Sequence, residues 1–306
     1  MTIRHSAKVW NEIHRGLLES LRQATEKSGP DDGGTATGPA VSEVVGRLCE
    51  LTAANRHYLA RSFTEQEKYD CAHFHYSWLL DKLGAARVSA LIAKGVEIWR
   101  QERESVWYSA DIRFEYWVAR EGELTLEMYA HQTIICLLSF SVAPGRLFGF
   151  EAREAILISR LQGNPGQFEQ VRAATRAMSE VSPKAALFAV LAGVAKAVGI
   201  DIVVGVAAAN HVSFLPDKRE LLERQYDDFF RGLDGTPLAG GFYVIDLSAP
   251  AKPLTLQKTG HRVRTKKKRL LKQQISEAVA QSCALILPPP DAALTATGSK
   301  PNLESV

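Results

Sequence analysis

Apolar residues recur every three or four positions through the first third of the chain, which is the pattern of amphipathic helices. The first predicted helix carries its apolar face on Val9, Ile13, Leu17, Leu18 and Leu21. It ends at Ser28-Gly29-Pro30, and the Gly29–Pro39 stretch, rich in Gly, Pro, Thr and Asp, predicts a loop. Further helices are predicted over Ser42–Leu59, from Thr64 to Leu83 and over Val88–Arg103. Thr64 and Glu67 have the spacing of a capping box.

The pattern changes to aromatic and β-branched residues after Glu104, which is typical of strands. The predicted strands are Val106–Tyr108, Ile112–Arg120, Leu124–Tyr129, Thr133–Val142 and Ala155–Arg160. Turn residues at Glu121-Gly122-Glu123 and Pro144-Gly145 separate some of them. We expect an antiparallel meander.

Helix-capping signals follow this meander. The predicted elements are a helix from Asn164 to about Val181, a helix from Ser182 to Gly199, a strand over Ile200–Ala208, a helix capped by Asp217 that runs to about Arg231, and a strand over Phe242–Leu247. A strand–helix–strand crossover within one sheet makes its two strands parallel. The predicted fold class is therefore α+β, with a mixed, mostly antiparallel sheet, one parallel crossover and a helical N-terminal extension.

Four regions follow from these boundaries. They are a helical N-terminal region (1–103), a mixed-sheet core (104–257), a basic helix (258–285) and a disordered tail (286–306). Asp291–Val306 has the polar composition of such a tail, and Pro288-Pro289-Pro290 precedes it.

The net charge of +3 argues against a general nucleic-acid coat, yet Lys258–Lys272 holds eight Lys and Arg residues and no acid. Leu271, Ile275 and Val279 share one face of this predicted helix. A solvated face, a contact of Arg262–Lys272 with anionic lipid or RNA, and a phosphate clamp for a ligand such as CoA all stay open.

Membrane and metal signals are weak. The longest apolar runs, Ala185–Ala195 and Ile202–Ala209, are too short to span a bilayer, and Met1–Lys27 lacks a signal-peptide pattern, so we expect a cytoplasmic protein. No two cysteines form a C-x-x-C pair, and the i,i+2 spacing of His73 and His75 does not suit one helix face. No metal site is expected.

Several short motifs follow one another along the chain in a characteristic order. They are Glu121-Gly122-Glu123-Leu124-Thr125-Leu126, Leu138-Ser139-Phe140-Ser141, Leu161-Gln162-Gly163, Arg172-Ala173-Ala174-Thr175-Arg176-Ala177, Pro183-Lys184-Ala185-Ala186-Leu187, Asn210-His211-Val212, Tyr226-Asp227-Asp228-Phe229-Phe230 and Gly241-Phe242-Tyr243. In these motifs the chain resembles the VirK/YbjX family, a bacterial family with a domain of unknown function. The resemblance implies a bacterial origin and a loose link to virulence, envelope stress and antimicrobial-peptide resistance. It supplies no catalytic mechanism.

The segment from Arg160 to Gly166 predicts a phosphate site, because it joins a strand to a helix N-terminus with unpaired N–H groups. It is similar to the acyl-CoA loop of GNAT acyltransferases, whose pattern is Q/R-x-x-G-x-G/A. Here the pattern is R-x-x-G-x-x-G, one residue longer, and Pro165 removes one donor. The residues expected to bind an acyl-CoA or related pantetheine donor are Arg160, Gln162, Gly163, Asn164 and Gly166. An ordinary strand-to-helix turn is the alternative.

His211 is the candidate general base, because it follows a buried strand where sheet edges open onto ligand crevices. A structural histidine is equally compatible. Asn210 could hold the imidazole or donate to an oxyanion, and two carboxylates among Glu121, Glu123 and Glu127 could form an acid/base pair unless they lie on a solvated turn. His75 and Tyr76 are expected to line an acceptor pocket, together with Glu121.

The leading functional hypothesis is a GNAT-like acyltransferase that moves an acyl group from a CoA-type donor to an amine or hydroxyl acceptor, a small molecule or a peptide. One alternative is a non-catalytic protein that binds anionic lipid, peptide or RNA through the basic helix. Another is an enzyme of unrelated chemistry acting on an amino acid or peptide.

Overall fold

The chain folds into helices packed on one large sheet in a computed structural model, which describes residues 15–23, 39–114, 121–151, 154–250, 253 and 259–286. The helices are α1 (15–23), α2 (Pro39–Ala53), α3 (Glu65–Lys94), α4 (Phe168–Ala177), α5 (Pro183–Val198), α6 (Arg219–Leu222), α7 (Asp228–Arg231) and α8 (Thr259–Ile286). A π-helical turn, Glu223–Asp227, joins α6 to α7. The strands are β1 (Val96–Arg103), β2 (Val106–Phe114), β3 (Leu124–Ala130), β4 (Thr133–Pro144), β5 (Glu154–Gly163), β6 (Ile202–Val206), β7 (Thr236–Leu238) and β8 (Phe242–Asp246).

The strands of the described residues form one sheet in the order β1-β2-β3-β4-β5-β6-β8-β7. Every neighbouring pair is antiparallel except β5 and β6, which run parallel and are connected through α4 and α5. The α+β class, the mostly antiparallel sheet and the parallel crossover are therefore confirmed. β7 was not predicted, since it has three residues with Pro237 at its centre, a composition that strands tolerate only at an edge.

The helix predicted over Val88–Arg103 is wrong in its second half. α3 ends at Lys94, Gly95 follows with φ of 68°, and Val96–Arg103 forms the edge strand β1 paired with β2. Ile98 and Trp99 are buried in this strand, so tertiary contacts outweigh the local helical pattern. The sheet thus begins inside the region predicted to be helical.

The start of α3 follows its sequence signal. The Thr64 hydroxyl accepts the Glu67 N–H at 3.2 Å, and the Glu67 carboxylate accepts the Thr64 N–H at 2.8 Å, which confirms the capping box. Gly84 has φ of 73° and interrupts the helical geometry where the stop was predicted, but the chain resumes a helix after it. α3 therefore consists of two segments that meet at Gly84. α2 ends at Ala53, earlier than the predicted Leu59.

The crossover helices differ from the prediction at the first cap. Asn164 does not cap α4, because its side chain donates to the Ile134 carbonyl at 2.9 Å and its N–H to the Ile135 carbonyl at 3.1 Å. Because these bonds tie Asn164 to β4, the helix does not begin there. α4 begins at Phe168 and ends at Ala177. Ser182 caps α5 as predicted, with its hydroxyl accepting the Ala185 N–H.

The chain after β6 also departs from the prediction. Asp217 makes no side-chain cap and lies in a 3₁₀ turn, Pro216–Lys218. The single helix predicted from there to Arg231 is interrupted by the π turn between α6 and α7.

The two faces of the sheet have opposite character, since successive residues of a strand point to opposite faces. One row across β2, β3, β4 and β5 consists of buried apolar residues: Phe114, Leu124, Phe140 and Ile158. The neighbouring row on the other face is polar: Arg113, Thr125, Ser139 and Arg160. α3, α5 and α8 cover the apolar face.

The predicted basic helix is α8, and its apolar face is buried against α5. Leu271, Ile275 and Val279 are at most 4% exposed, as the pattern predicts. The helices approach so closely that a Cβ added at Gly193 would lie 2.5 Å from the Ser276 carbonyl oxygen. The second half of α8 is thus part of the core.

Some predictions concern residues outside those described. These are the first predicted helix before residue 15, the loop before Pro39, the strand continuation from 115 to 120, and the tail from 287 to 306. Within the described ranges, no helix is both long enough and apolar enough to cross a membrane.

Candidate active site

The parallel strands β5 and β6 separate at their carboxyl ends, and we call the gap between them the crevice. They pair only at Ile156–Val203, Leu157–Val204 and Ile158–Gly205, and β5 then continues to Gly163 without β6 beside it. β6 ends at Val206. Ligands of α/β sheets bind outside the carboxyl ends of parallel strands, particularly where neighbouring strands connect in different directions. The crevice is therefore the candidate ligand site of this sheet.

A buried polar cluster lies beside the crevice. Arg160 Nε and Glu121 Oε2 are 3.8 Å apart, and their side chains are 12% and 10% exposed. The Ser213 hydroxyl donates to the second Glu121 oxygen at 3.2 Å. The cluster joins the turn before β3, the end of β5 and the segment after β6, so residues predicted separately from the sequence come together here.

His211 belongs to the same cluster. Its Nδ1 accepts the Ser213 N–H at 3.1 Å, so the neutral ring carries its proton on Nε2. Among the described residues, Nε2 has no hydrogen-bond partner of ordinary geometry. Burial lowers the pKa of His211 to about 4; the Ser159 backbone opposes this shift and the positive charge of Arg160 adds to it. The imidazole is therefore neutral at pH 7, and its general-base role stays a prediction.

Two residues that the sequence analysis did not assign to a site, Gln225 and Tyr226, project from the π turn towards β5. Gln225 donates to the Leu161 carbonyl at 2.9 Å, and the Tyr226 hydroxyl accepts the Leu161 N–H at 3.4 Å. These are backbone groups of β5 beyond its pairing with β6. The Tyr226 ring lies 4.5 Å from the His211 ring, and burial raises the pKa of Tyr226. π turns are frequent at functional sites, but their five-residue geometry has no clear sequence signal.

Asn210 joins separate parts of the chain through its side-chain amide. Its oxygen accepts the Ser62 N–H at 2.8 Å, and its nitrogen donates to the Gly240 carbonyl at 2.9 Å. Gly241 must be glycine at this approach, because a Cβ there would lie 2.9 Å from Asn210 Cβ. These bonds give Asn210 a structural role; its proposed catalytic role stays a prediction.

The predicted donor loop is open to solvent. Gly163 and Gly166 are exposed, Gly166 has φ of 80°, and an added Cβ at Gly163 would meet only one atom, at 3.8 Å. Gln162 is partly buried near the end of β5, while Arg160 faces Glu121. No side chain caps the N-terminus of α4, so its first N–H groups are available to an acceptor.

Three more predicted residues, His75, Tyr76 and Glu123, lie between α3 and the sheet. The Tyr76 hydroxyl donates to the Glu123 carboxylate, and His75 Nδ1 accepts the Val142 N–H at 2.9 Å. All three side chains are 1% exposed or less. The solvated turn considered for Glu121 and Glu123 is therefore wrong, and those two carboxylates have different partners. Glu127 pairs with Arg113 at 3.1 Å.

The part of the chain that the structure describes contains no group of three or more His, Cys, Asp or Glu side chains that could hold a metal ion. The free cysteines are buried, as expected from their apolar surroundings.

Comparison with known proteins gives a family and no closer relative. A family model described as "Protein of unknown function (DUF535)" matches residues 41–281. No curated protein and no solved structure matches the chain. The matched region includes every described strand and the whole polar cluster. The VirK/YbjX resemblance is thereby confirmed, since that is the same family: the chain belongs to DUF535.

Proposed function

We propose that this protein is a GNAT-like acyltransferase that takes an acyl group from a CoA-type thioester and transfers it to an amine or hydroxyl. The observation that carries the proposal is the parting of the parallel strands β5 and β6 beside an open strand-to-helix loop. A crevice at this position accommodates an extended ligand arm, while the loop and the α4 N-terminus favour an anionic group through their N–H groups and the helix dipole.

The donor's phosphate end would lie at Gln162–Gly166. No described side chain caps the start of α4, so its first N–H groups supply hydrogen-bond donors. Glycine at 163 and 166 lets a phosphate approach the backbone. Arg160 is held by Glu121, so in this proposal it serves the reacting end of the donor rather than its phosphates.

The reaction forms a bond from the acceptor nitrogen or oxygen to the acyl carbon and breaks the carbon–sulfur bond. The acceptor loses a proton, and the departing thiolate gains one. His211, neutral at pH 7, is the proposed base, acting after its buried ring turns or exchanges its proton. The Tyr226 hydroxyl, whose ring lies 4.5 Å from that of His211, is the proposed proton donor to the thiolate.

In this proposal, donor binding replaces one hydrogen bond of the protein, the one from Gln225 to the Leu161 carbonyl. The N–H and carbonyl of Leu161 are the β5 groups that face the crevice, and they are bonded to Tyr226 and Gln225. An amide-bearing donor arm would replace the Gln225 bond with one of its own. We therefore expect Gln225→Ala to bind donor at least as tightly as the unaltered protein.

The test is a thermal-shift and calorimetric titration with acetyl-CoA, longer acyl-CoAs and CoA. Gly163→Asp places a carboxylate at the open loop, and Gly163→Asn is its neutral control of the same size. We expect the aspartate to weaken donor binding at least tenfold more than the asparagine, since it repels the phosphates. Absence of binding by every acyl-CoA, or equal effects of both variants, would overturn the proposal.

A second function is favoured by the exposure of the first half of α8. Arg264, Lys266 and Lys267 are exposed, whereas the second half of the helix is anchored on α5. An anchored helix that presents cations to solvent suits an anionic partner, lipid or RNA. Binding to anionic vesicles or to RNA that falls with salt and is lost on neutralising Lys266–Arg269, without turnover of any acyl-CoA, would select this function instead.

A further inference from the structure

An apolar pocket opens between the helices and the apolar face of the sheet, away from the polar cluster. Its cavity volume is about 90 Å³. Its floor is formed by residues of β1 to β5, Ile112 and Phe140 among them, and one wall by Val194 and Val198 of α5. Such pockets are the usual sites for small apolar ligands.

The interruption of α3 at Gly84 shapes the opposite wall. Trp78 and Leu83 line the pocket from the first helical segment and Arg87 from the second. A Cβ added at Gly84 would meet nothing within 4 Å. Gly84 therefore separates the two helical segments that line this wall.

Two polar groups in this apolar wall have no partner among the described residues. Arg87 is exposed and makes no ion pair with any described residue. The Trp78 indole N–H is shielded from solvent and has no acceptor among the described residues. An unpaired buried donor is costly, and an apolar chamber with a cation at its rim matches a ligand that has an apolar chain and an anionic end.

From this combination we infer that the pocket binds a single fatty acyl chain, with its carboxylate at Arg87 and its methylenes over the apolar face of the sheet. The ligand class is a free long- or medium-chain fatty acid. This inference is independent of the proposed acyltransferase function, because the pocket uses none of the residues of the β5–β6 crevice. A failure of acyl-CoA to bind would leave it intact.

The first test is calorimetric titration with the even-numbered alkanoates from hexanoate to palmitate. Burial of each methylene stabilises by about 0.8 kcal/mol, so Kd should fall about fourfold per added carbon until the pocket is full. Val194→Phe fills the pocket and should weaken decanoate binding at least tenfold, while Lys196→Phe, exposed on the same helix, should not. A Kd that does not depend on chain length would contradict the inference.

The second test separates the head group from the chain. Arg87→Gln should weaken decanoate about two- to fivefold, the effect of one exposed ion pair, and leave decanol unchanged. Lys94→Gln, an exposed cation in the last turn of α3, is the matched control and should change neither ligand. Equal losses for decanoate and decanol in Arg87→Gln would contradict the placement of the carboxylate.

The third test locates the chain without depending on a pocket-filling variant. A terminally brominated undecanoate quenches nearby indoles, so it should quench the tryptophan fluorescence of the unaltered protein. Trp78→Phe should lose most of that quenching, whereas Trp107→Phe, which removes a 46%-exposed indole on β2, should keep it. Quenching that persists fully in Trp78→Phe would place the chain elsewhere and overturn the inference.

Discussion

Arg160 Nε lies 3.8 Å from Glu121 Oε2, and water reaches little of either side chain. The pair joins the end of β5 to the turn that precedes β3, and through the Ser213 hydroxyl it also holds the segment that carries His211. Charges buried in this way are stable only as a pair, because the desolvation of each is offset by the other. The pair therefore links three separate segments of the chain beside the end of β5.

Arg160→Gln should lower the free energy of unfolding by about 2–4 kcal/mol, since it leaves the Glu121 carboxylate buried without its cation. Urea unfolding measures this. Arg172→Gln is the matched control, because it removes the same group from an exposed pair with Glu169, where the expected loss is below about 1 kcal/mol. Equal losses in the two variants would show that the Arg160–Glu121 pair is not a buried one in solution.

The pH dependence of stability should show the buried His211. The folded-state pKa of His211, about 4, lies below the ordinary value of 6.5. Between these two values the unfolded chain binds a proton that the folded chain does not bind. Stability is thus unaffected by His211 above pH 6.5, and falls by about 3 kcal/mol as the pH drops from 6.5 to 4. His211→Gln should remove that part of the slope. His131→Asn, at the exposed β3–β4 turn, is the control and should retain it.

The same His211→Gln variant separates catalysis from structure. If His211 is the base, turnover should fall by about 10²–10⁴-fold while donor affinity hardly changes. Turnover and melting temperature are measured on one preparation. Unchanged turnover would remove His211 from the reaction.

The hydrogen bond from Tyr76 to Glu123 should stabilise the packing of α3 on the sheet. Tyr76→Phe removes only the hydroxyl, and we expect it to lower the free energy of unfolding by about 1–3 kcal/mol, because a buried carboxylate loses a donor. Tyr69→Phe, also on α3 but partly exposed, should cost less than about 0.5 kcal/mol. A Tyr76→Phe protein as stable as the unaltered one would contradict this reading of the contact.

The close approach of α5 and α8 should reverse the usual effect of replacing a helical glycine. Gly46→Ala on α2 meets no neighbour and should stabilise by about 0.5–1 kcal/mol, the ordinary propensity gain. Gly193→Ala should instead destabilise by about 1–3 kcal/mol, because its Cβ would lie 2.5 Å from the Ser276 carbonyl. Thermal unfolding decides the sign, and stabilisation by Gly193→Ala would mean that α8 is not seated on α5 as described.

The sequence by itself determined the features that depend on residues close along the chain. The capping box of Thr64 and Glu67, the Ser182 cap, the αL glycine Gly199 after α5 and the apolar face of α8 all follow from contacts within a few residues or from one periodicity. The meander and the parallel crossover were predictable for the same reason, because alternation and cap signals set the order of the elements.

Only the tertiary structure decided the rest. Val96–Arg103 is a strand because it pairs with β2. Asn164 does not cap α4 because its side-chain amide and its N–H both donate to carbonyls of β4. In the sequence, Glu121 and Glu123 resemble a solvated turn. They are buried because Arg160, Ser213 and Tyr76, which are distant along the chain, pack against them. The crevice, the π-turn residues within it and the apolar pocket have no local signature, since each is made by surfaces that meet only when the sheet and its helices pack.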